Sequence, residues 1–115
     1  MSAAAAQRML GRFGTTITWR RPGARVVTAG VESTAAATTA PVTGVVLPVT
    51  DARDGRFEPA TVVRGEAAEI LTPGSATRPQ PGDEYVANGA TWKVIGVTTL
   101  APAGATILYT AAVIR

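Results

Sequence analysis

The sequence predicts a mainly β protein: a small antiparallel β-barrel or sandwich with a short N-terminal helix and long mobile loops. Three observations carry that expectation. Asn88-Gly89 separates two runs of strand character, and a type I′ hairpin turn needs positive φ at both central residues, which this pair tolerates. Beyond it, Trp92, Val94 and Gly96 alternate with Thr91, Lys93 and Ile95, the period of a strand with one face turned inward. Turn residues recur at regular spacing along the whole chain, bounding five to seven short runs of strand character.

Taken in order, Ser2 to Phe13 reads as a helix. Ser2 can cap it, Ala3 to Ala6 are strong helix formers, and Gly11 and Gly14 mark its end. Ala6, Met9, Leu10 and Phe13 form one apolar stripe, with Arg8 and Arg12 four apart on another face. Thr15 to Arg21 is the first strand, Ile17 and Trp19 pointing one way and Thr16, Thr18 and Arg20 the other. Pro22-Gly23 ends it, and Arg25 to Val31 reads as a second strand. Ser33 to Thr43 is Ala/Thr-rich without a large side chain, so it is expected to be a mobile loop that buries too little to offset its ordering entropy.

Val42 to Val49 is a strong strand, with Pro48 at its end or at a sheet edge. Thr50 to Pro59 interleaves Asp51, Arg53, Asp54, Arg56 and Glu58 with the exposed-looking Phe57, a second mobile loop over 50–60. Strand character resumes over Thr61 to Leu71, and Thr72 to Pro81 is a proline-rich connection. Arg64-Gly65-Glu66 and Pro81-Gly82-Asp83 share one form, a glycine–acid pair running straight into a strand. No charge occurs from Val94 to Ile114, but Pro102-Ala103-Gly104 interrupts that stretch and its threonines favour strands. Two buried strands joined by a turn are expected there, not a membrane span. The closing strand, Thr106 to Ile114, sets Ile107, Tyr109, Ala111 and Val113 against Leu108, Thr110 and Ala112. Trp19, Trp92 and Tyr109 are the expected core anchors.

The chain of 115 residues is the size of one domain, 1–115, with a single core. It contains no cysteine and no histidine, which removes disulfide frameworks, Cys/His zinc sites, cysteine nucleophiles and histidine acid–base chemistry. Without histidine there is no conventional Ser-His-Asp triad. The acids of the 50–60 loop lack the alternating spacing and closing glutamate of a calcium loop, and Gly11-Arg12-Phe13-Gly14 lacks the Gly-Lys-Ser/Thr of a phosphate loop. No signal-peptide pattern opens the chain. The net charge of +3 is too mild to indicate nucleic-acid binding, although five arginines precede the first acid, Glu32. A non-enzymatic protein with no cofactor is expected.

One resemblance spans nearly the whole chain. The Ala/Arg helix running into Gly14-Thr-Thr-Ile-Thr-Trp-Arg-Arg, then Thr43-Gly-Val-Val-Leu-Pro-Val, a polar loop, Pro81-Gly-Asp, Trp92-Lys-Val and Tyr109 resembles the neck proteins of long-tailed bacteriophages. These are head-closure or stopper proteins, similar to the head–tail joining protein of lambda-like phages. The resemblance implies a small β-barrel that assembles as a ring, expected to be a hexamer, in the virion between the portal or adaptor and the tail. Such a ring is built in the host cytoplasm, passes or retains double-stranded DNA in its lumen and contacts no membrane. Arg53, Asp54, Arg56 and Phe57 would then belong to a lumen or subunit-contact loop. Arg8 and Arg12, with Arg20 and Arg21, would dock a ring neighbour. A tail-terminator or minor tail protein is the nearest alternative. A small OB-like nucleic-acid-binding barrel is the alternative from another class, and it requires aromatic stacking platforms on an outer face.

Overall fold

The computed structural model describes residues 3–49 and 57–115. Among these, α1 spans Ala3–Phe13 and α2 Pro59–Val63; the strands are β1 Thr15–Arg21, β2 Arg25–Thr28, β3 Val31–Thr34, β4 Thr38–Pro48, β5 Ala67–Pro73, β6 Glu84–Ala87, β7 Ala90–Leu100 and β8 Leu108–Ile114. Six of them close an antiparallel barrel in the order β1-β4-β5-β8-β7-β6, while β2 and β3 form a separate two-stranded ribbon.

Period-2 patterning builds the barrel, because a closed sheet has one face to fill and one to show to water. Along β1 the exposed threonines alternate with buried Ile17 and Trp19, as the spacing predicts. The interior is filled by Ile17, Trp19, Ile70, Tyr85, Trp92 and Val113, with small residues such as Ala68 and Ala111 between them. Burying a side chain the size of Ile or Val contributes about 1.5–3 kcal/mol, so this one cluster dominates stability. The three expected anchors, Trp19, Trp92 and Tyr109, are all buried.

Two smaller apolar clusters lie outside the main core. Ala6 and Leu10 of α1 pack with Ile107 and Leu108, bordered by Val45 and Leu71. Phe57 packs with Ala67 and Ala112, bordered by Val49, Val62 and Ile114.

The turns follow their residue chemistry. Asn88 and Gly89 have φ of 51° and 76°, the paired positive values of a type I′ hairpin. Gln80 to Asp83 forms a type II turn, with Pro81 first, Gly82 at φ 95° second, and the Asp83 N–H donating to the Gln80 carbonyl at 3.0 Å. Gly65 likewise takes φ 71° just before β5, so both glycine–acid pairs precede their strands with a left-handed glycine.

Several expectations need correction. The expected loop over 33–43 is strand for most of its length: β3 runs to Thr34, and Thr38–Thr43 of β4 pair residue by residue with β1. Backbone ladder bonds and β-branched threonines order this segment without large side chains. Pro41 fits because its stretch of β4 pairs only with β1, β5 joining from Val45 onward. Strand character expected from Thr61 yields instead to α2, which starts at Pro59 and packs Val62 beside Phe57. Of the expected 50–60 loop, residues 50–56 lie outside the described residues. Phe57, read as exposed, is buried. Phe13, read as part of the apolar stripe of α1, is 67% exposed at the helix end, where Gly14 turns the chain into β1. In β7 the alternation slips between Val94 and Gly96, a β-bulge after which Val97, not Gly96, packs against the core.

Candidate interaction surface: an arm and its arginine clamp

β1 and β4 are paired along their whole shared length, from Thr15 opposite Gly44 to Arg21 opposite Thr38. The chain between them leaves the barrel as the β2–β3 ribbon, with Arg25 opposite Thr34 and Thr28 opposite Val31. Its tip is a two-residue turn, Ala29 at φ 52° and Gly30 at φ 78°. The molecule accordingly measures 52 Å in its longest dimension against 34 and 28 Å across. Every residue of β3 is exposed, and Val27 and Val31 are 70% and 67% exposed. At the root, a Cβ on Gly23 would lie 1.8 Å from the Ala35 carbonyl oxygen, so only glycine lets the two legs approach. The Ala35 N–H donates to the Ala24 carbonyl at 2.9 Å across that root.

Just inside the root sits the one buried acid among the described residues, Asp83, 3% exposed. Its Oδ2 accepts from the Trp19 indole N–H at 3.1 Å, the Gln80 backbone N–H at 2.9 Å and Arg21 Nη2 at 3.0 Å, while Oδ1 accepts from Arg21 Nε at 3.0 Å. The Arg21 guanidinium also lies 4.9 Å from the centre of the Trp19 ring. Burial by itself pushes the Asp83 carboxyl up. The Arg21 fork, the Gln80 N–H and the Trp19 N–H outweigh it and hold the group below the ordinary carboxylate range. The same carboxylate raises the Arg21 pKa further. One residue along, Arg20 bonds Glu84 at 2.9 Å with the arginine side chain 46% exposed, a pair worth at most about 1 kcal/mol.

With four donors on it and a pKa held below the ordinary range, the Asp83 carboxylate lacks the proton affinity of a general base. Burial pushes the Tyr85 phenol up to about 12, so it stays protonated in the core. Among the described residues no group of three or more acids could hold a metal ion, and no helix is long and apolar enough to cross a membrane. What the clamp does is mechanical: it ties the end of β1, the 80–83 turn and the start of β6 into one rigid root for the arm.

The candidate residues are therefore dispersed. Arg20 and Arg21, expected to dock a neighbour, each hold an ion pair inside the chain, Arg20 with Glu84 and Arg21 with Asp83. Arg8 and Arg12 are exposed on α1, Arg12 lying 5.4 Å from the Phe13 ring centre. Arg53, Asp54 and Arg56 lie outside the described residues, and Phe57 is a packing residue against Ala112. The sequence reading missed both the arm and Asp83. The signal for the arm was present: Ala29-Gly30 separates Arg25-Val-Val-Thr from Val31-Glu-Ser-Thr at two-residue hairpin spacing. Nothing local beyond its own turn marked Asp83, whose side-chain partners Trp19 and Arg21 lie more than sixty positions away.

No family model matches the chain, and no curated protein sequence matches it significantly.

Proposed function

We propose that this chain is a structural assembly protein of the phage head–tail interface, a ring subunit that joins portal or adaptor to tail and lets DNA pass or be retained. The observation that supports this reading best is a closed barrel carrying a solvent-exposed arm whose root is tied down by the Arg21–Asp83 clamp. Such a body works by the surface it offers to neighbours. The resemblance of the Gly14–Arg21, Thr43–Val49 and Pro81–Trp92 segments to neck proteins supplies the setting. In that role Arg8 and Arg12, both exposed on α1, would meet an acidic neighbour.

The OB-like alternative draws little support. Of the six aromatic residues, Trp19, Phe57, Tyr85, Trp92 and Tyr109 are buried and Phe13 alone is exposed, too few for a stacking platform. Negative-stain imaging of the purified protein, alone and mixed with portal assemblies or tail tubes, tests the proposal. Rings seated on portal are expected. Rings seated only on tube ends would favour a tail terminator, and salt-sensitive single-stranded DNA binding by a free monomer would overturn the reading.

A further inference from the structure

In an antiparallel pair of strands, residues that exchange both main-chain hydrogen bonds alternate with residues that exchange none. At the root of the arm the Ala35 N–H bonds the Ala24 carbonyl, so along the ribbon register Val26–Ser33 and Thr28–Val31 are the next bonded pairs. The two-residue Ala29-Gly30 turn closes on Thr28–Val31, as a type I′ hairpin requires. Arg25 and Val27 therefore turn their N–H and C=O groups outward along β2, and Glu32 and Thr34 do so along β3. Neither outer edge has a neighbouring strand.

Arg25 and Glu32 hold each other as an ion pair, so what the arm offers a neighbour is main chain and not charge. The β2 edge is complementary to itself. With two copies set antiparallel about a two-fold axis at Val27, each Val27 N–H faces the Val27 carbonyl of the other copy. The two exposed valines then lie opposite one another, and each Arg25 falls opposite the uncharged Ala29 of the other copy. Gly30 at each tip reaches Ala24 at the other root and goes no further, which leaves the two barrels at opposite ends. The same tip-to-root overlap along β3 would set Glu32 directly against Glu32, and like charges directly opposite are destabilising. Backbone geometry and charge thus select the β2 edge.

We propose that two copies of this chain pair through the outer edges of β2, giving an intermolecular sheet of order β3-β2-β2-β3. The contact is isologous, the same patch on both copies. It turns a two-stranded ribbon, marginal by itself in water, into a sheet of four strands. It goes beyond the ring reading and does not rest on it, being a contact of the free chain. Two short edges bury far less than the roughly 1,200–2,000 Å² of a standard stable interface, so the pair is weak and forms with rising concentration.

The absence of native cysteine makes the test direct. Val27→Cys and Glu32→Cys chains, each shown by circular dichroism to fold, are treated separately with a short bifunctional thiol reagent. In the proposed sheet the two copies of residue 27 lie about 5.5 Å apart between Cα atoms, a bonded antiparallel pair. The two copies of residue 32 are three strands apart, about 14 Å, beyond the reagent. Cross-linked dimers of Val27→Cys in clear excess over those of Glu32→Cys are expected. Val27→Pro removes an outward N–H and leaves the inward ladder of the ribbon intact. By sedimentation it should weaken pairing about tenfold or more, since two hydrogen bonds of the symmetric contact are lost. Val27→Asp, which sets two like charges face to face without altering the main chain, should weaken it as well. A chain that stays monomeric at high concentration, Glu32→Cys cross-links equal to those of Val27→Cys, or a Val27→Asp chain that pairs as the unaltered one does would each overturn the pairing. Rings seated on portal by a chain that shows no such pairing would keep the neck reading and remove this contact.

Discussion

Asp83 is where single residues matter most, because two oxygens satisfy an indole N–H, a backbone N–H and both arms of a guanidinium. Its folded pKa lies below the ordinary 3.8, so its contribution is fully present above that value and is lost as pH falls through the lower folded one. Asp83→Asn should cost about 3 kcal/mol at neutral pH, the low end for a broken buried ion pair because Arg21 keeps contact with solvent. It should also make the acid limb of the stability–pH curve shallower, which urea melts at stepped pH would read. Tyr85 sets the opposite limb. With the phenol raised from 10.0 to about 12, its contribution is whole below pH 10 and is lost as pH climbs toward the folded value. Tyr85→Phe should therefore flatten the alkaline loss of stability while changing the neutral value little. Trp92 fills the barrel and lies 5.2 Å under the Arg115 guanidinium; Trp92→Ala should cost about 3–5 kcal/mol in the same melts. These anchors were legible in the sequence because large aromatics at inward period-2 positions have one place to go. Asp83 was not legible, since a turn-forming Asp after Pro-Gly looks the same whether or not an arginine from a distant strand reaches it.

At the scale of elements, the arm rests on two backbone conditions. Ala29 holds φ 52°, a left-handed conformation that costs an alanine about 1–2 kcal/mol and that glycine or asparagine adopts more readily. Ala29→Asn would recreate the Asn-Gly pair that the chain already uses at Asn88-Gly89, and should slow amide exchange across β2 and β3 by roughly fivefold to tenfold, the equivalent of about 1 kcal/mol. Gly23→Ala should do the reverse at the root, where its Cβ would overlap the Ala35 carbonyl, and the protection of the Ala35 N–H should disappear. Turn chemistry made the β6–β7 hairpin and the β7–β8 pair readable in advance. The longer β4 was not readable, because Thr38 to Thr43 is ordered by its partner β1, and pairing is a property of two segments. The α2 turn escaped for a related reason: Thr61, Val62 and Val63 favour strands by propensity, and the packing of Val62 beside Phe57 decides otherwise.

For the whole molecule, the six-strand sheet closes on itself, while the two strands of the ribbon each keep one edge unpaired. The fold class was evident from the sequence, whereas the arm was signalled only by its Ala29-Gly30 turn, because a strand exposed along its whole length, as β3 is, has no inward face to give it a period. The way the ribbon is inserted has one further result. It is spliced between two adjacent, mutually bonded strands, and Asp83 bolts the foot of the first to the 80–83 turn. Tension applied at the tip therefore drags β1 and β4 together along their own axes. The ladders to β6 and β5 on either side then share the load at once, as a glued lap joint does, where a peeling load would break them one after another. A neighbour pulling on this protein would meet the full resistance of the barrel.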